Sequence, residues 1–291
     1  MKFLVTGSAG LVGSQLVKDL SQSSNQVYSC YNDTKPEYGI QTLLDLQNPE
    51  SITKTIEKTR PDVIIHLAAM TNVDLCEANQ ELALKINAKS TGMIAKESAK
   101  HRAFLLYVST DYVFDGEHGM KKENDETNPV DYYGKSKLEG EKALDGMASA
   151  WCIARTSTPF GLHKTRKSFP LFVAENLKAK KQLTIVTDQL TSPTYVPNLS
   201  RMLIEISMRQ ITGIIHTAGA TRISRYDVAS LVAEKLHLDQ GLIKPVTIKE
   251  MNWTAKRPKD SSLDVSKATQ ILNEKPMELE PALDLFLNEL K

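Results

Sequence analysis

The chain has 291 residues, 41% hydrophobic and 24% charged, enough to bury the core of one large domain or of a main domain with a smaller partner. Its 36 Lys and Arg nearly cancel 35 Asp and Glu, and no basic run is interleaved with aromatics, so nucleic acid is not an expected ligand. Cys30, Cys76 and Cys152 offer neither a disulfide framework nor zinc spacing and suit reduced, buried thiols. No apolar run reaches membrane-spanning length and the start lacks a signal-peptide core, so the expected location is the cytoplasm, with no membrane partner.

In chain order, Phe3 to Thr6 reads as a strand that runs into Gly7, Gly10 and Gly13 at GxxGxxG spacing. A helix then carries Val12, Leu16, Val17 and Leu20 on one face. Glycines between a strand and a helix allow close backbone approach to a pyrophosphate, which then meets the helix N-terminus. Gly7, Ala9, Gly10, Leu11, Val12 and Gly13 are therefore candidate cofactor contacts. Val27 to Tyr31 is the second strand, followed by Asn32 and Asp33. An acid there suits a ribose 2′-hydroxyl, but the neighbouring Asn32 and Lys35 leave NAD(H) and NADP(H) both open. Asp45 and Leu46 close the short run Thr42 to Leu44 and either meet the adenine or belong to a loop beside Asn48. Asn48-Pro49-Glu50 starts a helix, with a cap, a proline at the first position and an acid in the first turn.

Val63 to His66, Phe104 to Ser109 and Cys152 to Ala154 continue the strand–helix alternation, which predicts a parallel sheet covered on both faces. His66 ends an apolar strand and reads as a hydrogen-bonded core histidine rather than a base. Beyond residue 158 the rhythm changes. Leu171 to Lys180 reads as helix, Leu183 to Val186 as a strand-like run, Leu199 to Ile206 as helix and Gly213 to Ala218 as strand. Tyr226 to Leu236 then reads as helix, Val246 to Ile248 as strand, Arg257-Pro258 as loop, and a last helix starts at Pro281. The predicted fold is α/β, a Rossmann-like doubly wound parallel sheet (1–158 and 188–221) with a smaller C-terminal substrate-binding lobe (159–187 and 222–291).

Ser109 to Gly116 (STDYVFDG) and Tyr133 to Lys137 (YGKSK) supply a hydroxyl, a phenol and an ammonium in one ordered pair of segments. Tyr and Lys four apart share a helix face, and a neighbouring ammonium favours the phenolate, which would bring the tyrosine toward a useful pKa. Spacing alone is weak, because Tyr31 and Lys35 have it too, where a strand runs into a loop. The second match follows Asn128-Pro129, has Asp131 as a cap and continues in good helix formers, so context selects Tyr133 and Lys137. No acidic cluster reads as a metal cage.

With these segments, Arg60 to Ala69 (RPDVIIHLAA) and Thr71 to Asp74 (TNVD) in order, the chain resembles the extended short-chain dehydrogenase/reductases, and among them the dTDP-4-dehydrorhamnose reductases. The resemblance runs nearly end to end, through Asp188 to Thr194 (DQLTSPT) and Arg257 to Leu263 (RPKDSSL). It implies that Tyr133 is the general acid, that Lys137 holds the nicotinamide ribose, and that Thr110 hydrogen-bonds the substrate carbonyl, with Ser109 as the alternative hydroxyl. Ala68, Ala69 and Thr71 would line the cofactor. Asn87 would bend its helix and assist a proton relay, against the plain alternative of an exposed polar residue. Val73, Asp111, Tyr112, Thr158 and Phe160 would face the substrate, and Arg257 would help hold its diphosphate.

One departure touches the substrate side. Where the family has Arg-Thr-Ser-Trp, this chain has Arg155-Thr-Ser-Thr158, and Phe160 is the candidate replacement for the missing apolar sugar platform. Dehydratase relatives carry Thr-Asp-Glu where this chain has Thr110-Asp111-Tyr112, which favours reduction. An epimerase remains an alternative, and so does a regulatory subunit of methionine adenosyltransferase, which resembles the same reductases. The implied partner is a dTDP-linked sugar; a homodimer is left open.

Overall fold

The computed structural model describes residues 1–145 and 150–290. Seven strands form one sheet with every pairing parallel: β1 (Lys2–Thr6), β2 (Gln26–Tyr31), β3 (Ile40–Leu43), β4 (Val63–His66), β5 (Phe104–Thr110), β6 (Trp151–Thr156) and β7 (Gly213–His216). Their spatial order is β7-β6-β5-β4-β1-β2-β3. The chain winds outward in one direction from β1 and in the other from β4, which opens a crevice beyond the carboxyl ends of those strands.

Among the described residues, eight helices reach ten or more residues: α1 (Leu11–Ser21), α2 (Pro49–Thr59), α3 (Ser90–His101), α4 (Tyr132–Lys142), α5 (Phe169–Lys178), α6 (Val196–Arg209), α7 (Arg225–Lys235) and α8 (Leu279–Asn288). None is long and apolar enough to cross a membrane. The alternation of strand side chains decides which helix goes where. Phe3, Val5, Val63, Ile65, Phe104 and Leu106 pack on one face against Leu16 and Leu20 of α1 and Leu199 and Leu203 of α6. Leu4, Ile64, Leu105 and Tyr107 pack on the other against Ile52 and Ile56 of α2 and Ile94 of α3.

A separate core lies in the later part of the chain, where Phe160 stacks near Tyr195 and Phe286, with ring centroids 5.6 and 5.7 Å away. Packing crosses the expected segment boundaries. Ala268 and Leu272 return to the sheet's first face, and Tyr195, from a segment assigned to the sheet domain, packs into the later core. The strand expected at Val246 to Ile248 lies earlier, at Ile243–Val246, and pairs with Leu183–Val186. Pro245 argues locally against a strand, but this two-stranded pair is all edge and tolerates it.

Candidate active site

At the carboxyl end of β1, Gly7 has φ +69°, and a Cβ on Gly13 would lie 2.1 Å from the Gly7 carbonyl oxygen. Only glycine permits that approach. No side chain caps α1 at Gly10, so its first-turn N–H groups face the crevice as an anion site. Asn32 donates to Asp33 at 3.0 Å beyond β2, and Asp45 accepts from Gln47 N at 2.8 Å beyond β3. Asn48 caps α2 as expected, accepting from Glu50 N at 3.0 Å.

Thr6 Oγ1 accepts from the backbone N–H groups of Leu67 and Ala68, and its own proton goes to His66 Nδ1 at 2.7 Å. His66 Nε2 then donates to Thr91 at 3.0 Å. Burial, aided by Lys137, pushes the imidazole down to about 3, so His66 is the neutral, satisfied core residue that its strand position implied.

Asn87 is buried inside a π-turn, Lys85–Lys89, which joins Gln80–Leu84 to α3. Its side chain accepts from Met70 N at 2.8 Å and donates to Met70 O and to Ser136 Oγ at 3.0 and 2.9 Å. The exposed alternative is overturned. Asn87 ties the loop after β4 to α4, and its own carbonyl accepts from Thr91 Oγ1 at 2.8 Å.

The catalytic candidates meet where β5 ends and α4 begins. Asp131 caps α4, accepting from Gly134 N at 2.8 Å, and the bidentate buried pair between Arg155 and Glu141, at 3.0 and 2.7 Å, fixes the helix to β6. Lys137 Nζ donates to Val108 O at 2.8 Å and lies 4.0 Å from the Tyr107 ring centroid. The Tyr112 and Tyr133 rings meet edge to face at 5.8 Å. Thr110 Oγ1 donates to Asp111 at 2.9 Å, and Asp111 also accepts from Ser157 at 2.7 Å and Ser261 at 2.5 Å.

The electrostatics differ from expectation. Burial raises the Tyr133 phenol, opposed in part by the Thr110 hydroxyl beside it, and the same burial lowers Lys137 to about 7. Desolvation disfavours the charged form of both groups, and the nearby Asp111, Cys76 and Asp131 push the phenol further up, so the lowering expected from an ammonium neighbour is not seen. The phenol therefore holds its proton across the neutral range.

One cleft of about 980 Å³ joins these parts. Gly7, Ala9, Gly10, Leu11, Val12 and Gly13 line one end with Asn32, Asp33, Asp45 and Leu46, while Ala68, Ala69, Thr71, Val73, Thr110, Asp111, Tyr112, Tyr133, Lys137 and Thr158 line the rest. Three candidates are elsewhere. Asn87 stands behind the wall, and Phe160 is fully buried in the later core, so it is no sugar platform. Arg257 faces Asp74, with Nη2 to Oδ2 2.9 Å, and lies over Trp253, which leaves it outside the cleft lining.

The family described as RmlD substrate binding domain matches residues 1–291. The chain belongs to this family. A dTDP-4-dehydrorhamnose reductase of Aggregatibacter actinomycetemcomitans is 32% identical over 97% of both chains. Methionine adenosyltransferase 2 subunit beta of Xenopus tropicalis is 31% identical over 92% of this chain and 81% of its own. Among solved structures, a hypothetical dTDP-4-dehydrorhamnose reductase from Sulfolobus tokodaii is 40% identical, with TM-score 0.88, covering 96% of this chain and 98% of that one. A Bacillus anthracis dTDP-4-dehydrorhamnose reductase in complex with NADP is 28% identical, with TM-score 0.88 and 99% coverage of both.

In this family member, sequence reasoning missed part of the cleft wall: Thr165 to Phe169 and Arg225. The first had a signal, the basic run His163-Lys-Thr-Arg-Lys167. His163 Nε2 donates to Ala9 O at 3.1 Å and Lys164 pairs with Glu37, so this loop spans the glycine turn. Arg225 had none, because it reads only as the first residue after the Ser224 cap. Away from the cleft, ligand atoms of Glu57, Glu97 and His101 lie within 4.8 Å of one another, but Lys100 already pairs with both carboxylates, at 2.8 and 3.6 Å.

Proposed function

We propose that the chain reduces the 4-keto group of a dTDP-linked 6-deoxy sugar with NADPH or NADH. The observation that carries this reading is the shared cleft: Thr110, Tyr133 and Lys137 line the same space as a glycine turn too tight for any side chain. The residues fit a dinucleotide, with the α1 N-terminus for its pyrophosphate, Asp33 beside a ribose, and Ala68 and Ala69 along a ring. A reduced nicotinamide held there supplies the hydride.

The chain's own groups handle the oxygen. As charge develops on the carbonyl oxygen, the Tyr133 phenol, kept protonated by burial, delivers its proton, and Thr110 orients the acceptor. Lys137, fixed through Val108 O, anchors the ribose side. Tyr112 supports reduction over dehydration, because burial pushes its phenol up to about 12 and leaves no base where a dehydratase needs a carboxylate. A complete trio likewise supports an enzyme over a purely regulatory subunit.

Purified protein mixed with dTDP-4-dehydro-L-rhamnose and either reduced cofactor should deplete nicotinamide absorbance. No turnover with either would sink the assignment. Tyr133→Phe should lower turnover at least ~100-fold while cofactor affinity stays within ~threefold, and wild-type activity would remove Tyr133 from its role.

A further inference from the structure

Arg257, the arginine expected to meet the substrate, is already engaged by Asp74. Arg225 lines the cleft instead, at the first turn of α7, beside Thr158, Pro159, Ser168 and Phe169. It is partly buried, and its guanidinium lies 4.9 Å from the Phe169 ring centroid. Among the described residues, that guanidinium makes no hydrogen bond and no ion pair; only the backbone N–H of Arg225 is engaged, by Gln189 O at 3.1 Å. The acid near enough to act on its charge, Asp111, has its oxygens committed to Thr110, Ser157 and Ser261. A partly buried guanidinium without a carboxylate of its own is poised for a ligand that brings the counter-charge. A second unmet polar group lies next to it. The buried Thr191 hydroxyl has no partner, and Thr191 and Arg225 border the same recess of about 10 Å³, roughly the room of one water.

We propose that Arg225 binds the phosphate of the substrate nearest the sugar and so holds the sugar-nucleotide at the substrate end of the cleft. This rests on the sugar-nucleotide reading above. Arg166 and Lys167 are exposed at the rim of the cleft, whereas Arg225 sits deeper, within electrostatic reach of Asp111 and Tyr112 and hence of Thr110. An arginine fork matches a phosphate bidentately, and the contact with the Phe169 ring holds its plane.

Titration calorimetry of the wild type, Arg225→Gln and Arg225→Lys with dTDP, dTDP-glucose and dTDP-glucuronic acid tests the assignment. If Arg225 meets the phosphate, Arg225→Gln binds all three at least ~10-fold more weakly and Arg225→Lys recovers part of the loss. Weakening of dTDP-glucuronic acid alone would put a carboxylate rather than the phosphate at Arg225 and overturn the assignment. Equal binding by the wild type and Arg225→Gln, with matching thermal midpoints, overturns the role of Arg225 and leaves the proposed reaction standing. A wild type that binds none of the three brings down the substrate class and this assignment with it.

Discussion

The two walls of the cleft are assembled in different ways. On the catalytic wall, Thr110 ends one strand and Tyr133 and Lys137 sit on the next long helix, and short-range devices set them: the Asp131 cap, the bond from Lys137 to Val108 O, and the clamp of Glu141 by Arg155. On the opposite wall, Thr158, Ser168, Phe169 and Arg225 come from three segments that meet beside the core around Phe160, Tyr195 and Phe286. The first wall is written locally and the second is a product of tertiary packing. Chemistry can thus be kept in a compact motif while selectivity drifts with distant substitutions.

Loss of the second core gives the largest expected effect. Phe286 is fully buried against Phe160, and Phe286→Ala should cost about 3–5 kcal/mol in urea denaturation and weaken sugar-nucleotide binding more than cofactor binding. Equal loss of both would mean that the walls are not separately built. A middle-sized effect belongs to the catalytic wall. The folded-state pKa of Lys137 is lowered from 10.5 to about 7, so the unfolded chain binds more protons between those values and stability rises with pH across that window. Relative to Lys137→Met, the wild type should gain about 2 kcal/mol between pH 7 and 9. A flat difference would show the ammonium to be better solvated than its burial implies. The smallest effect lies outside both walls. Asn48→Ala removes the α2 cap and should cost ~1 kcal/mol with turnover unchanged; a fall in turnover would tie α2 to the site.

The same contrast explains what could be read from the chain. The glycine turn, the Asn48 and Asp131 caps and the strand–helix rhythm are local signals, and each appears where its residues indicate. Tyr31 and Lys35 also behave as their context predicts, with Tyr31 ending β2 and Lys35 in the loop beyond. Arg257 and Phe160 are different. Both motifs are present, yet Asp74 turns the arginine aside and a second core takes the phenylalanine, and neither neighbour is near in sequence. The direction of the Tyr133 shift has a related origin: helix spacing reveals the ammonium, but the burial that raises the phenol is set by the whole fold. Thr158 has φ +42°, a strained setting for a β-branched residue that no sequence pattern announces.

The π-turn at Lys85–Lys89 has a further consequence. Such a turn holds one residue more than the α-turn it replaces, and the surplus is absorbed on the spot. Deleting one of the four residues around Asn87 should restore a regular helix and leave Ile94 and Ala95 on the core, but it should turn the Asn87 side chain away from Met70, and the loop after β4 would lose its tether. Chain length is itself a coded quantity in this stretch: a relative with a one-residue gap here should keep the fold and lose the link between the loop after β4 and the helix that carries Tyr133.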